Sequence, residues 1–320
     1  MCKICMIDYM KNKDRKIYLK KKHINADHCD SLINIPDTLT NLKILEAGYC
    51  DSLTNISSVL TQLTKLDVGN CVSLKIIPNT LINLEILTVY GCVLNNIPDT
   101  LVNLKELNID DCTLLTDIPG TLVNLTWLNC ERTLLTDIPG TLVNLEVLVT
   151  SGCKFLTNIP DVFINLRLLS ISDCVLINNI PDTLINLEVL CIGGTSITNI
   201  PDTLENILQL VATNTLITSI PITPINLFEL NVSGCKWLTN IPDIFKNVDH
   251  LNVSECTWLD LNIKDDNIKK LITLQKFIKR NFKHWVFKNM IKSREFNEWF
   301  YHPDNIGGKM VKKELENILI

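Results

Sequence analysis

The residues best equipped for chemistry in this chain are its thirteen cysteines and five histidines. Thiolates attack carbonyl carbons, exchange disulfides and bind soft metals, and imidazoles serve beside them as bases or fellow ligands. Cys2-x-x-Cys5, followed by His23 and His28, has the outline of a zinc finger. The gap from Cys5 to His23 is long, however, and the apolar residues that would wrap the metal are missing. The segment therefore reads as a cap over the first coil of a repeat array, with no metal site. No GxSxG, HExxH or Gly-rich phosphate loop occurs, and Gly307-Gly308-Lys309 lacks the first Gly and the trailing Ser/Thr of a P-loop. Neither catalytic residues nor a cofactor are expected.

Nine cysteines share one spacing. Cys29, Cys50, Cys71, Cys92, Cys112, Cys153, Cys174, Cys235 and Cys256 recur in a register of 20 or 21 residues, and Thr133, Thr195 and Thr215 fill the gaps. A position repeated so often points to structure rather than catalysis. Cysteine there acts as a small buried hydrophobe with a weak donor. Neighbouring thiols in such a ladder could approach disulfide distance, but a reducing compartment keeps them apart.

The elements that carry these residues are set by the repeat. Ile-Pro or its equivalent recurs at Pro36, Ser57, Pro78, Pro98, Pro119, Pro139, Pro160, Pro181, Pro201, Pro221 and Pro242. The thirteen residues from Thr113 to Leu125 (TLLTDIPGTLVNL) recur unchanged from Thr133 to Leu145. One unit reads Leu104-x-x-Leu107-x-Ile109-x-x-Cys112-x-Leu114, then Ile118-Pro119-x-x-Leu122-x-x-Leu125. Leu107 and Ile109 alternate with Glu106, Asn108 and Asp110, the period of a strand with one buried face. A unit this short cannot bury its own leucines, so units must stack into a solenoid with a parallel sheet. Proline suits the turn that returns the chain, and the unit leaves room for 3₁₀ or extended turns with at most one helical turn. Leu114, Ile118, Leu122 and Leu125 are the expected buried anchors.

This unit resembles the leucine-rich repeat, LxxLxLxx(N/C/T)xL, over residues 23–263 in about eleven copies. The resemblance implies a right-handed α/β solenoid with the parallel sheet on its concave face and a short 3₁₀ or turn-like convex side. It also implies that the Cys or Thr side chain turns inward to bond loop backbone. The short Ile-Pro unit is similar to FNIP repeats of social amoebae and of amoeba-infecting giant viruses.

Charge divides the chain into modules. Lys and Arg outnumber Asp and Glu by eight to three in residues 1–28, yield nine to 25 in 29–263, and lead thirteen to seven in 264–320. Residues 1–22 read as a basic helical cap. Their MIDYMKNKDRKIYL also resembles part of an F-box, which implies the Skp adaptor and a cullin ubiquitin ligase as partners. Residues 264–320 read as a basic, helical C-terminal cap. The start has no sustained apolar stretch and no segment is long enough to span a bilayer, so cytoplasmic localisation is expected, with the nucleus as the alternative, in the host cell if the source is viral.

What remains for function is surface. A non-enzymatic protein-interaction scaffold is the expected function, with a substrate adaptor as the alternative. The outward strand positions are largely acidic and should repel nucleic acid and suit a basic protein partner. Tyr90, Asp110, Asp111, Trp127, Glu131, Arg132 and Asp173 are the expected partner-binding residues. The shortened coil around Trp127 is the expected centre.

Overall fold

The computed structural model describes residues 19–245 and 248–256. The helical ends expected over 1–22 and 264–320, and the F-box-like segment, therefore lie outside the described residues, save 19–22. The array itself is a single sheet of twelve parallel strands in chain order. Each strand has three residues, among them β1 (His23–Asn25), β4 (Ile86–Thr88), β5 (Glu106–Asn108), β6 (Trp127–Asn129), β10 (Gln209–Val211), β11 (Glu229–Asn231) and β12 (His250–Asn252). Strand residues pair in strict register, Leu107 with Leu128 and Leu128 with Leu148. The order follows because each strand returns one coil along the axis, so neighbours in sequence become neighbours in space. Among the described residues the chain runs in turns between strands, with a 3₁₀ turn at Asp243–Phe245.

The core is one continuous column. The central strand leucines Leu66, Leu87, Leu107, Leu128, Leu148, Leu169 and Leu190 are fully buried, as are the return-path anchors Leu122, Leu125, Leu142 and Leu145. Leu114 is a correction to the expected anchors: it is 50% exposed and Leu115 is fully buried. The reason is unit length. In 21-residue units the anchor falls three residues after the ladder position, as in Leu53, Leu74, Leu115 and Leu156. In 20-residue units it falls two after, as in Leu94, Leu135, Ile197 and Ile217. The extra residue is extruded on the outside of the turn.

The ladder thiols point inward and bond across coils. The Sγ of Cys50, Cys71, Cys92, Cys112, Cys153, Cys174, Cys235 and Cys256 each donates to a backbone carbonyl of the preceding coil, at 2.8 to 3.3 Å. Thr133, Thr195 and Thr215, all in 20-residue units, instead donate to the carbonyl three residues back in their own coil. Burial pushes the Cys92 thiol up to about 12 and the Cys112 and Cys174 thiols to about 11. Two ladder thiols shift the other way, Cys50 drawn down by the Cys71 thiol and Cys153 drawn down to about 7 by the Cys130 thiol and the Thr133 hydroxyl, but neither has solvent access.

A second device repeats in every coil. The residue just before the ladder position takes left-handed φ, with Gly at 91, 152, 194 and 234 and with His28, Tyr49, Asn70, Asp111, Arg132, Asp173, Asn214 and Glu255 elsewhere. Its N–H still bonds to the next coil, as in Asp111 N to Glu131 O at 3.0 Å. The left-handed residue therefore ends the sheet ladder and turns the chain so that the next side chain enters the core.

Candidate protein-binding face

The outward side chains of the strands form rows along the sheet. The first residue of each strand supplies one row, in which Trp127, Val147, Leu168 and Val189 stand side by side. Val149 and Val211 lie in the row beside it. These four central coils thus carry an aliphatic strip that opens with one indole. All of these side chains are half-buried or buried by their neighbours, as β-branched and aromatic residues on adjacent strands cover one another.

Carboxylates flank this strip. Glu106 precedes Trp127 in the same row, and burial pushes its carboxyl up to about 7 although Lys65 and Lys105 oppose the shift. At the far end Gln209 and Glu229 are paired across β10 and β11. Glu229 is only 1% exposed, and burial likewise pushes it up to about 7, with the Gln209 amide offsetting only part of the cost. Among the described residues neither Glu229 oxygen has a well-formed hydrogen bond, and the same holds for Oε2 of Glu106. A buried carboxylate without a donor costs free energy when ionised, and an incoming cation removes that cost.

The structure brings four of the seven expected residues into one cluster. Arg132 donates through Nε to Asp111 at 2.6 Å and through Nη2 to Asp111 at 2.8 Å and Asp110 at 2.7 Å. Glu131 lies 3.8 Å from Nη1. Hydrogen bonds from Arg132 hold the Asp111 carboxyl below its usual range. Burial pushes Asp110 up to about 6 against the pull of Arg132, and burial also raises Glu131. Asn108 and Asn129 support this cluster by accepting from the N–H groups of Asp110 and Glu131, each at 3.1 Å. Trp127 begins the strand that leads to it.

Tyr90 and Asp173 lie apart from that cluster. Tyr90 folds back across Gly69, where an added Cβ would stand 2.1 Å from the ring, and meets Tyr49 edge-on at 6.3 Å. Burial raises its phenol. Tyr49 in turn stacks on His28 at 4.7 Å. Asp173 holds the left-handed position two coils beyond Arg132, about 10 Å away at the spacing of parallel strands. Of the zinc-finger outline, His28 is in the aromatic stack and His23 Nε2 lies 3.1 Å from Glu46. Cys2 and Cys5 lie outside the described residues. Among the described residues no group of three or more His, Cys, Asp or Glu is placed to hold a metal ion.

Sequence reasoning missed the strip of Val147, Leu168 and Val189 because these aliphatics look like core residues. Only the strand register shows that they alternate with the buried leucines.

This geometry has known counterparts. The family model for the Leucine Rich Repeat matches residues 103–125. The functional domain of InlJ from Listeria monocytogenes, which itself includes a cysteine ladder, superposes with a TM-score of 0.59 at 23% identity over 67% of this chain. The fold is the leucine-rich-repeat solenoid. This chain spans 48% of that InlJ domain. A leucine-rich-repeat protein of Leptospira interrogans gives a TM-score of 0.57 at 19% identity, covering 76% of this chain and 74% of its own. YopM from Yersinia enterocolitica gives 0.52 at 23% identity, covering 69% and 52%. No curated protein matches the chain in sequence. In the described leucine-rich repeats no helix is long and apolar enough to cross a membrane.

Proposed function

We propose that this leucine-rich-repeat array is a non-enzymatic scaffold whose concave face grips a protein partner bearing basic side chains. The observation that carries the reading is the aliphatic strip from Trp127 to Val189, bounded by the buried carboxylates of Glu106 and Glu229. An apolar strip gives affinity through burial, and carboxylates whose burial is only partly offset give selectivity for Lys or Arg. The Arg132 cluster lies at the edge of the strip and adds two further acids, Asp110 and Glu131. The same acidic face disfavours nucleic acid.

Affinity capture of partners by the full chain, compared with two variants, tests this. Trp127→Ala and Glu131→Lys should each abolish capture while leaving the thermal midpoint nearly unchanged. Unaltered capture by both variants would remove the central patch from the account. The adaptor alternative rests on residues 1–22 alone. It requires the Skp adaptor or a cullin among the captured proteins and their loss when those residues are deleted. A cytoplasmic setting, in a host cell if the likeness to viral FNIP repeats holds, belongs to the same reading and suits a core of free thiols.

A further inference from the structure

The edge of the array where the chain enters each strand carries a second pattern, separate from the concave face. Three residues before the last position ahead of each strand, six consecutive coils present an aliphatic side chain: Ile82, Val102, Val123, Val143, Ile164 and Ile185, each 41 to 52% exposed. At one coil every ~4.8 Å they form a ridge of roughly 24 Å. Asparagines fix this ridge. Asn103, Asn124, Asn144, Asn165 and Asn186 each donate to the backbone carbonyl of the ridge residue in the preceding coil, at 2.8 to 3.0 Å. Beside the ridge runs a recess of about 1470 Å³, lined by these asparagines and by the residue directly before each strand. The central six of those residues are, in coil order, Glu85, Lys105, Thr126, Glu146, Arg167 and Glu188, with Lys43 and Thr64 before them and Leu208 after.

About Val123 the ridge reads the same in both directions, and about Thr126 the recess charges are complementary, Lys105 against Glu146 and Glu85 against Arg167. We infer that this edge is the interface with a second copy of the same chain, packed antiparallel about a two-fold axis that passes through that coil. Such an axis sets ridge against ridge and recess against recess. Ile82 then faces Ile164, Val102 faces Val143, and Val123 meets its own copy. In the recess Glu85 faces Arg167, Lys105 faces Glu146, and Thr126 meets itself. Each pairing of two different residues occurs twice, and none is between like charges.

The registers within one coil of this one fail on charge. Half a coil one way sets Lys105 against Arg167 and Glu85 against Glu188. Half a coil the other way sets Glu85 against Glu146. A full coil sets Glu146 or Lys105 against its own copy. The ion pairs within one copy, Lys105–Glu85 at 2.8 Å and Arg167–Glu188 at 2.6 Å, would extend into alternating networks across the interface. The two-fold runs from the concave to the convex side, so both concave faces stay open on the same side of the dimer.

Sedimentation of the full 36.3 kDa chain tests this with two charge-reversed variants. Wild type should sediment as a dimer. Glu85→Arg with Lys105→Glu should be monomeric, because the introduced arginine would face Arg167 of the other copy. Glu146→Lys with Arg167→Glu should be monomeric for the same reason, with like charges facing at both positions. An equimolar mixture of the two should recover the dimer, since every facing pair is again opposite in sign. Val123→Asp, an exposed substitution that brings two carboxylates together on the axis, should also give a monomer. A wild type that stays monomeric at its highest soluble concentration overturns the inference. So does a dimer that survives either charge reversal or Val123→Asp, or a mixture of the two reversed variants that remains monomeric.

Discussion

Arg132 and Asp111 hold the same left-handed position in adjacent coils and are joined by two hydrogen bonds, at 2.6 and 2.8 Å. The cation nearest the centre of the acidic face is thereby turned against its own array. The face consequently presents an aliphatic strip and carboxylates, with its arginine engaged by aspartates of the preceding coil.

That pair sets an acid dependence. The folded Asp111 carboxyl is held below its unfolded value, so its contribution is present above about pH 4 and is lost as pH falls through the folded value. Arg132→Ala should remove this acid slope and should push Asp110 further up. Both groups are exposed, so the cost at neutral pH should be at most about 1 kcal/mol. Urea midpoints between pH 3 and 7 read both effects.

Glu106 and Glu229 act in the opposite sense. Their folded values, about 7, lie above the unfolded carboxyl near 4.5. The stability they contribute is full below about pH 4.5 and is lost as pH rises towards 7, where the buried groups must ionise. Glu229→Gln should flatten the decline and raise stability at pH 8 by up to about 3 kcal/mol, given ~1.4 kcal/mol per unit. Thermal midpoints measured across pH 4 to 8 should show the wild-type decline and its loss in the variant. A midpoint of Glu229→Gln at pH 8 no higher than wild type would contradict this.

Gly69 makes room for Tyr90. A Cβ at residue 69 would stand 2.1 Å from the ring, so Gly69→Ala should expel it from beside Tyr49. With its burial relieved, the raised phenol should return towards about 10. Spectrophotometric titration of the tyrosines should show one additional group ionising near that value. An unchanged titration would show that the ring had not moved.

The length rule for the coils predicts two neighbouring leucines with opposite behaviour. Leu115→Ala empties a fully buried site and should cost about 2–5 kcal/mol. Leu114→Ala trims an exposed side chain and should change stability by no more than about 0.5 kcal/mol. Denaturant midpoints of the two variants decide between the anchors.

Much of this was written plainly in the chain, for a physical reason. Stacking forces every coil to solve one problem, so Leu107, Ile109, Cys112, Ile118 and Leu122 recur in register and reveal strand, ladder and return path. What escaped depends on two coils at once. The shift from Leu114 to Leu115 follows from one extra residue outside the turn. Left-handed φ at Tyr49 or Arg132 leaves no mark in residue type, because the twelve such positions hold Gly, Asn, Asp, His, Tyr, Arg and Glu. The engagement of Arg132 by Asp110 and Asp111 spans 21 and 22 residues of sequence, and only the stacking register brings them together.

The concave face is best tested by where a partner touches. A photo-crosslinking residue placed at Ser151, beside the central strip, should give a covalent adduct with a captured protein. The adduct should be lost when Glu229→Lys is added. The same residue at Ile76, which is exposed away from the sheet, should give none. Adducts from Ile76 and none from Ser151 would place recognition elsewhere and contradict the account.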